Sequence, residues 1–267
     1  MTAQHIALLV ASSFGAGIMN AMAGGGTILT YPALLLAGES PITANATSTI
    51  ALWPGALSSM YGYRREVRRY RDWLKVLFLP SLLGGAAGAV LLLATPPRIF
   101  ERMAPFLVLF ATVLFALQGI LSRRASAPLI PPAEADAALH GDRRTGGRLA
   151  VAWMSQLAIA LYGGYFGAGI GILMLAVLGF LGIPDIHAAN GLKNFFGMCI
   201  NGVAAAWFIA RGAVDWPVAL IMIAGAIAGG YAGARFARHI GRARARAAVV
   251  AIGLLVTAIL LLRGERW

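Results

Sequence analysis

The sequence predicts an all-α polytopic membrane protein built from two inverted structural repeats, and three observations lead to this fold class. The chain of 267 residues is 59% hydrophobic and only 12% charged, whereas soluble domains carry about 25% charged residues. Apolar stretches long enough to cross a bilayer recur along the chain, and its two halves share a sequence pattern. This composition excludes a soluble globular protein and a disordered chain.

The apolar stretches predict eight full transmembrane helices, since a hydrocarbon core of about 30 Å needs about 20 residues in helix. The eight stretches are 6–23, 42–63, 73–94, 100–121, 149–166, 186–210, 217–236 and 247–262. Two further apolar stretches, 27–37 and 170–182, reach only part of the way across at about 1.5 Å per residue. Each follows a glycine break, and the sequence leaves open whether it crosses the membrane or re-enters.

Matching residues divide the chain into an N-terminal membrane repeat (1–122), a polar linker (123–148) and a C-terminal membrane repeat (149–267). The linker contains three prolines, several charges and no long apolar run. The strongest matches are 145 positions apart and comprise Gly24-Gly25-Gly26 with Gly169-Ile170-Gly171, Ala44-Asn45 with Ala189-Asn190, and GGAAGA at 84–89 with GGYAGA at 229–234.

The basic residues predict that the second repeat is inverted, because Arg and Lys concentrate in cytoplasmic loops. Six of them (Arg64, Arg65, Arg68, Arg69, Arg71 and Lys75) follow the segment 42–63, whereas its counterpart in the second half, 186–210, is followed by Arg211. At the end of the next full segment the bias reverses. There the first half has Arg98 and Arg102, and the second half has Arg235, Arg238, Arg242, Arg244 and Arg246. Five crossings per half, with both termini outside and a cytoplasmic linker, fit this pattern, whereas four plus four would place the last cluster outside. The net charge of +12 is then topological, and we expect no nucleic-acid partner.

The two glycine breaks predict a binding site for an anion. Gly24, Gly25 and Gly26 in the first half, and Gly169 and Gly171 in the second, each precede a short helix. The free N–H groups and the positive end of the dipole at a helix N-terminus favour negative charge, and paired glycine-interrupted segments are typical of transporter sites. Close helix packing through small residues is the alternative interpretation.

A polar stripe on one apolar helix strengthens this prediction. Asn190, Lys193, Asn194 and Asn201 share one helical face. Lys193 lies eight residues after Asp185, about 12 Å along the helix, and a charge near the midplane costs at least about 2.5–3.5 kcal/mol. Since no acid lies within an apolar run, we expect a substrate anion to be its partner. A structural lysine bonded to helix-terminal carbonyls, or a neutral one, is the alternative.

The matching helix of the first half carries Asn45, Ser48 and Thr49, which we expect to face the second stripe as donors to a small oxyanion. Hydrogen bonding between helices is the competing interpretation. The residues predicted to line the pathway are Asn20, Thr47, Gln156, Tyr165, Asn201 and His187.

Other functional classes find little support. The chain has no His-Glu-x-x-His motif, phosphate loop or nucleophile elbow, so we expect no catalytic residues, metal or cofactor. Its single cysteine, Cys199, excludes an internal disulfide. The expected partners are a small anion and the lipid bilayer. The oligomeric state stays open, a homodimer included.

Four segments resemble the sulfite exporter TauE/SafE family of membrane permeases over nearly the whole chain outside the linker. They are AMAGGGTILTYPALLLAG (21–38), ANATSTIALWPG (44–55), GGYFGAGIGILML (163–175) and ANGLKNFFGMCINGVAA (189–205). The resemblance implies export of small sulfur oxyanions or organosulfonates, such as sulfite or sulfoacetate, across a bacterial inner membrane. Within the internal repeat, Ile170 stands where the first half has Gly25, and Lys193 where it has Ser48.

The function we predict is secondary transport of a small anion outward, by alternating access to a site near the midplane. A monovalent anion leaving a negative interior gains about 2.3 kcal/mol per 100 mV, so export can run without a coupling ion. His187 or Lys193 could still carry a proton, and the coupling stays open. An anion channel with the same site is one alternative, and a membrane scaffold or enzyme is another.

Overall fold

The computed structural model describes residues 1–22, 24–62, 68, 70–125, 146–183, 186–236 and 242–264. Within these ranges it contains ten α-helices and no β-strand, which confirms the all-α fold class. The helices are α1 (Ala3–Met22), α2 (Thr27–Leu36), α3 (Pro41–Gly62), α4 (Arg71–Ala94), α5 (Pro97–Ala125), α6 (Gly146–Tyr165), α7 (Ile170–Phe180), α8 (Ile186–Ala210), α9 (Trp216–Phe236) and α10 (Arg242–Gly264). Each predicted apolar segment coincides with one of them.

Three of the described helices are long and apolar enough, by length and composition, to cross a membrane. They comprise Arg71–Ala94, Pro97–Gly119 and Ala188–Ala210. The other apolar parts are shorter, such as Leu149–Tyr165 and Val249–Leu262. The full count of eight crossings therefore stays a prediction.

The helices continue beyond the apolar runs at the linker. Helix α5 extends to Ala125 and α6 begins at Gly146. At the end of α5, Arg123, Arg124 and Ala125 are good helix formers and continue the helix beyond the apolar run. The rest of the predicted linker, 126–145, lies outside the described residues. So do several of the basic positions from which the topology was predicted, Arg64, Arg65, Arg69 and Arg238 among them.

Two helix pairs pack most extensively, α1 with α9 and α4 with α6. Both rely on glycine for close approach. A Cβ on Gly84 of α4 would lie 2.6 Å from the carbonyl oxygen of Leu157 in α6, and a Cβ on Gly229 of α9 would clash with the carbonyl of Phe14 in α1. Gly84 and Gly229 are 145 positions apart, so the matched motif performs the same packing role in both halves.

The contacts between helices are repeated when each of α1–α5 is exchanged for its counterpart in α6–α10. Besides the two main pairs, α3 packs on α9 as α8 packs on α4, and α1 packs on α2 as α6 packs on α7. Helix α3 packs against its own counterpart α8, and α5 against α10. Corresponding helices of the two halves are therefore brought together at the centre of the fold.

The exterior is apolar, unlike that of a water-soluble protein. Large apolar side chains such as Leu79, Phe106, Leu220 and Leu262 face outward, while the interior is mostly apolar and also contains some polar side chains. The buried polar side chains are Ser13, Thr30, Asn45, Thr47, Ser48, Ser81, Thr112, Gln156, Lys193 and Thr257. An apolar exterior of this extent suits a lipid environment.

Candidate anion-binding site

Each short helix begins at a turn that only glycine adopts readily. Gly24 and Gly25 have φ values of +83° and +96°, and Gly167 and Gly169 each have +81°. These are left-handed conformations, which cost other residues about 1–2 kcal/mol. Gly24 and Gly169 are the positions matched by the 145-residue spacing, so both halves break their helices in the same way.

The two turns lie against each other. A Cβ on Gly24 would be 3.5 Å from the Cα of Gly171, and one on Gly25 would be 3.8 Å from the backbone nitrogen of Gly169. The N-termini of α2 and α7 therefore meet in the interior of the bundle, where their dipoles favour negative charge. The two glycine breaks, each predicted to contribute to an anion site, therefore lie at a single junction.

Side chains hold the turns in position and use some of the free N–H groups. Asn20 Oδ1 accepts a hydrogen bond from the N–H of Gly26 at 2.8 Å, and the hydroxyl of Tyr162 donates to the carbonyl of Ala168 at 2.7 Å. Within the described residues, the N–H of Gly171 donates to no backbone carbonyl. The N-terminus of α7 thus keeps a free donor beside the first turn.

A cavity of about 80 Å³ lies at this junction. By the same measure one water needs about 10–15 Å³, so the cavity holds a few waters or a small ion. Its lining comprises Asn20, Gly24, Gly25, Thr27, Thr49, Leu52, Ala56, Gly167, Ile170, Gly171, Met174, Lys193, Asn194, Gly197 and Asn201. The lining therefore draws on both turns and on both central helices, α3 and α8.

Lys193 is the charged side chain of this lining. It is only 4% exposed, and no carboxylate or hydrogen-bond acceptor pairs with it among the residues the structure describes. Asn194 and Asn201 also line the cavity and make no hydrogen bond within the described protein. An ammonium and two amides without protein partners can all donate to one small anion.

The cavity is lined by matched positions of α3 and α8. Thr49 faces Asn194, Leu52 is matched by Gly197 and Ala56 by Asn201, each pair 145 positions apart. Between the helices, Trp53 Nε1 donates to the carbonyl of Met198 at 3.1 Å. The side from α8 is polar, whereas the side from α3 is mostly apolar.

Residues 9–260 match the family described as "Sulfite exporter TauE/SafE". The chain belongs to the TauE/SafE sulfite exporter family. It is 31% identical over 261 residues to a "Probable membrane transporter protein" of Haemophilus influenzae, covering 95% of this chain and 93% of that protein.

Other relatives are similar over comparable lengths. A "Probable membrane transporter protein YfcA" of Escherichia coli K12 is 28% identical over 254 residues, covering 92% of this chain and 86% of the relative. A "Probable membrane transporter protein ORF9" of a Sinorhizobium species is 32% identical over 238 residues, covering 87% and 83%. No solved structure matches the chain. The family and these names support an integral membrane transporter.

Several site residues predicted for this TauE/SafE member lie outside the cavity lining and are engaged elsewhere. Asn45 Nδ2 donates to the carbonyl of Tyr165 at 2.9 Å, while its Oδ1 has no partner among the described residues. The hydroxyls of Ser48 and Thr30 are 2.6 Å apart, and Thr47 Oγ1 accepts from the N–H of Asp215 at 3.1 Å. Asn190, Gly26 and Gly169 also lie outside the lining.

Gln156 and Tyr165, two further residues predicted to line the pathway, lie outside the cavity lining. Gln156 Nε2 donates to Ser81 Oγ at 2.8 Å and joins α6 to α4. The hydroxyl of Tyr165 lies 3.4 Å from Thr95 Oγ1. The side chain of His187 lies outside the described residues. Of the predicted pathway, the cavity therefore gathers Asn20 and Asn201.

Some lining residues were not among the predicted site residues. Thr27 directly follows the first glycine triplet, and a hydroxyl residue at the start of a short helix could have been identified from the sequence as a site residue. Gly167 opens the second break, and Gly197 lies one helical turn after Lys193. The apolar members Leu52, Ala56 and Met174 carry no signal that distinguishes them from ordinary membrane-helix residues.

The acidic side chains that the structure describes lie outside the lining. Glu39 follows α2 and lies near Asp215, and partial burial together with that carboxylate raises the pKa of Glu39. Asp72 pairs with Lys75 at 3.0 Å on the surface. Among the described residues, no group of three or more His, Cys, Asp or Glu side chains could hold a metal ion.

Proposed function

We propose that this protein is a secondary transporter that carries a small anion outward, with the cavity between the two glycine turns as its binding site. The observation that carries the proposal is Lys193, which is buried, borders the cavity and has no partner in the described protein. Burying an unpaired charge is costly, and an anion in the cavity would offset that cost. The anion would then bind most tightly beside Lys193.

The substrate class we propose is a sulfur oxyanion or organosulfonate such as sulfite. The family description names sulfite export, and the donors around the cavity suit oxygen acceptors. In this scheme Lys193 neutralises the charge, while the amides of Asn194 and Asn201 orient the oxygens. The N–H of Gly171 adds a backbone donor at the start of α7.

The residues of α3 take a different part in this scheme. Asn45 and Ser48 were predicted to bind the substrate, and they already make protein hydrogen bonds. Thr49 lines the cavity, although its hydroxyl donates to the carbonyl of Asn45 at 2.9 Å. We therefore assign Asn45 and Ser48 to supporting the site, together with Asn190 as a neighbour of Lys193 on α8. Direct contact falls to Lys193, Asn194 and Asn201.

Alternating access would come from the two halves, residues 1–122 and 149–267, rocking about the cavity. Matched packing of corresponding helices and matched glycine turns support two equivalent repeats, and the arginine distribution supports their inversion. In this arrangement both termini are outside, and the linker is cytoplasmic. Helices α2 and α7, each about 15 Å long, begin at the site.

The direction of transport follows from membrane electrostatics. A monovalent anion gains about 2.3 kcal/mol per 100 mV on leaving a negative interior. Described carboxylates lie outside the cavity lining, so no acidic side chain there serves as a proton carrier. We propose uncoupled export driven by the membrane potential and the anion gradient.

Anion flux in proteoliposomes tests this function. Wild type is expected to carry sulfite with saturable kinetics and counter-transport, and Lys193→Met to lose at least about 100-fold in flux. Lys75→Met is the matched control because Lys75 is exposed and pairs with Asp72. Melting temperatures in detergent establish that each variant is folded.

Three results would contradict the proposal. Non-saturable flux without counter-transport would identify a channel. Full flux in folded Lys193→Met would remove the lysine from the site. No flux of any sulfur anion by wild type would remove the substrate class and favour a scaffold.

A further inference from the structure

The cavity carries one full positive charge. Its lining combines Lys193 with neutral amides, the Thr27 and Thr49 hydroxyls, glycines and apolar side chains. Among the described residues, no second cationic side chain and no carboxylate belongs to it. The charge that the lining can neutralise is therefore one.

Titratable groups elsewhere on the surrounding elements do not change this balance. Those with described side chains are His5 on α1, Tyr31 on α2, the Arg71–Lys75 group at the start of α4, Arg98, Glu101 and Arg102 on α5, Tyr162 and Tyr165 on α6, and Cys199 on α8. None of them lines the cavity. Tyr162 is bonded to the carbonyl of Ala168, and Lys75 is paired with Asp72.

The helix N-termini supply only part of a second charge. A helix end carries about half an elementary charge, and its effect falls off within the first turn. At α2 the N–H of Gly26 is already bonded to Asn20, and the N–H of Ile28 to the carbonyl of Gly25 at 3.0 Å. The lining also includes the apolar side chains of Leu52, Ile170 and Met174, which cannot solvate a second negative charge.

From this charge inventory we infer that the site selects singly charged anions, so that the transported form of sulfite is the hydrogensulfite monoanion. Dianions are rejected, including sulfate and the sulfoacetate dianion present at neutral pH. The inference rests on the proposed function and adds the charge state of the substrate. A monoanion and Lys193 form a neutral pair. A dianion leaves one uncompensated negative charge in a small, partly apolar cavity, which is strongly unfavourable.

Methanesulfonate and sulfate make a matched pair of probes. They share a tetrahedral shape and the same number of non-hydrogen atoms, but methanesulfonate carries one charge and sulfate two. In proteoliposomes containing the full chain, at one pH, we expect sulfate flux to be about 100-fold or more below methanesulfonate flux. Comparable flux of the two would overturn the inference and leave the proposed anion transport intact.

Sulfite gives a second readout, because its second ionisation falls near neutral pH. At constant total sulfite, flux is expected to follow the monoanion and to decrease roughly tenfold for each pH unit above that pKa. Methanesulfonate, singly charged throughout, is the control, because titration of a protein group changes both fluxes alike. The ratio of sulfite flux to methanesulfonate flux is therefore expected to decrease with pH. A ratio that does not change with pH would overturn the inference, whereas no flux of either monoanion would overturn the proposed function itself.

Discussion

Helices α3 and α8 occupy matched positions in the two halves, yet their polar stripes have different environments. On α3, Asn45 and Ser48 are buried and bonded to Tyr165 and Thr30. On α8, the matched residues Lys193 and Asn194 border the cavity and have no hydrogen-bond partner among the described residues. The two helices thus differ at these positions, because Asn45 Nδ2 and the Ser48 hydroxyl bond to protein groups whereas Lys193 and Asn194 remain available to a ligand. Polarity on an apolar helix therefore does not by itself identify a ligand-binding residue.

Exchanging two side chains, Ser48→Lys together with Lys193→Ser, tests this difference most severely. We expect flux to fall at least about 100-fold, because position 48 faces Thr30 and not the cavity. The measurement is sulfite flux in proteoliposomes, with Lys193→Ser alone as the control. Recovery of flux in the exchanged protein would show that the two positions are equivalent, and the comparison would be wrong.

Asn194→Ala removes an unpaired amide from the cavity. We expect about a tenfold higher KM for the anion, since one hydrogen bond to a charged ligand is lost, and little change in melting temperature. Concentration dependence of flux measures the effect. Thr49→Val provides the control on α3, because that hydroxyl already donates to the carbonyl of Asn45. An equal rise in KM for both variants would contradict the assignment of the polar side to α8.

Asn45→Ala is expected to lower stability and to leave the KM for the anion unchanged. Loss of the hydrogen bond to the Tyr165 carbonyl should lower the free energy of unfolding by about 1 kcal/mol. Thermal unfolding in detergent measures this, and Asn194→Ala, which breaks no hydrogen bond within the described protein, serves as the stability control. If Asn45→Ala is as stable as wild type but impaired in binding, Asn45 contacts the substrate after all.

Ser48→Ala should produce the smallest change. The hydroxyl pair with Thr30 is lost, but Thr30 Oγ1 retains a 3.4 Å hydrogen bond to the carbonyl of Gly26. We expect about 0.6 kcal/mol of destabilisation and flux within the error of wild type. A marked increase in KM would place Ser48 in the site and weaken the contrast between the helices.

The sequence predicted the all-α class, the ten apolar segments and the two glycine turns, because each depends on local composition. It also identified Lys193, Asn194, Asn201, Asn20 and Thr49, which the structure gathers around one cavity. It did not separate them from Asn45 and Ser48, since both sets are polar residues on apolar helices. Leu52, Ala56 and Met174 could not be predicted, because their place in the lining follows from how helices pack.

The sequence by itself determined where helices form and break, because hydrophobicity and the conformational freedom of glycine act over a few neighbouring residues. It also determined that a lysine lies deep within an apolar segment. Only the tertiary structure decided which polar groups find partners. Asn45 and Tyr165 are 120 residues apart in sequence, and Ser48 and Thr30 are 18 apart. These groups come within hydrogen-bond distance only when the helices pack. Lys193 stays unpaired because the two glycine turns meet beside it and leave a cavity.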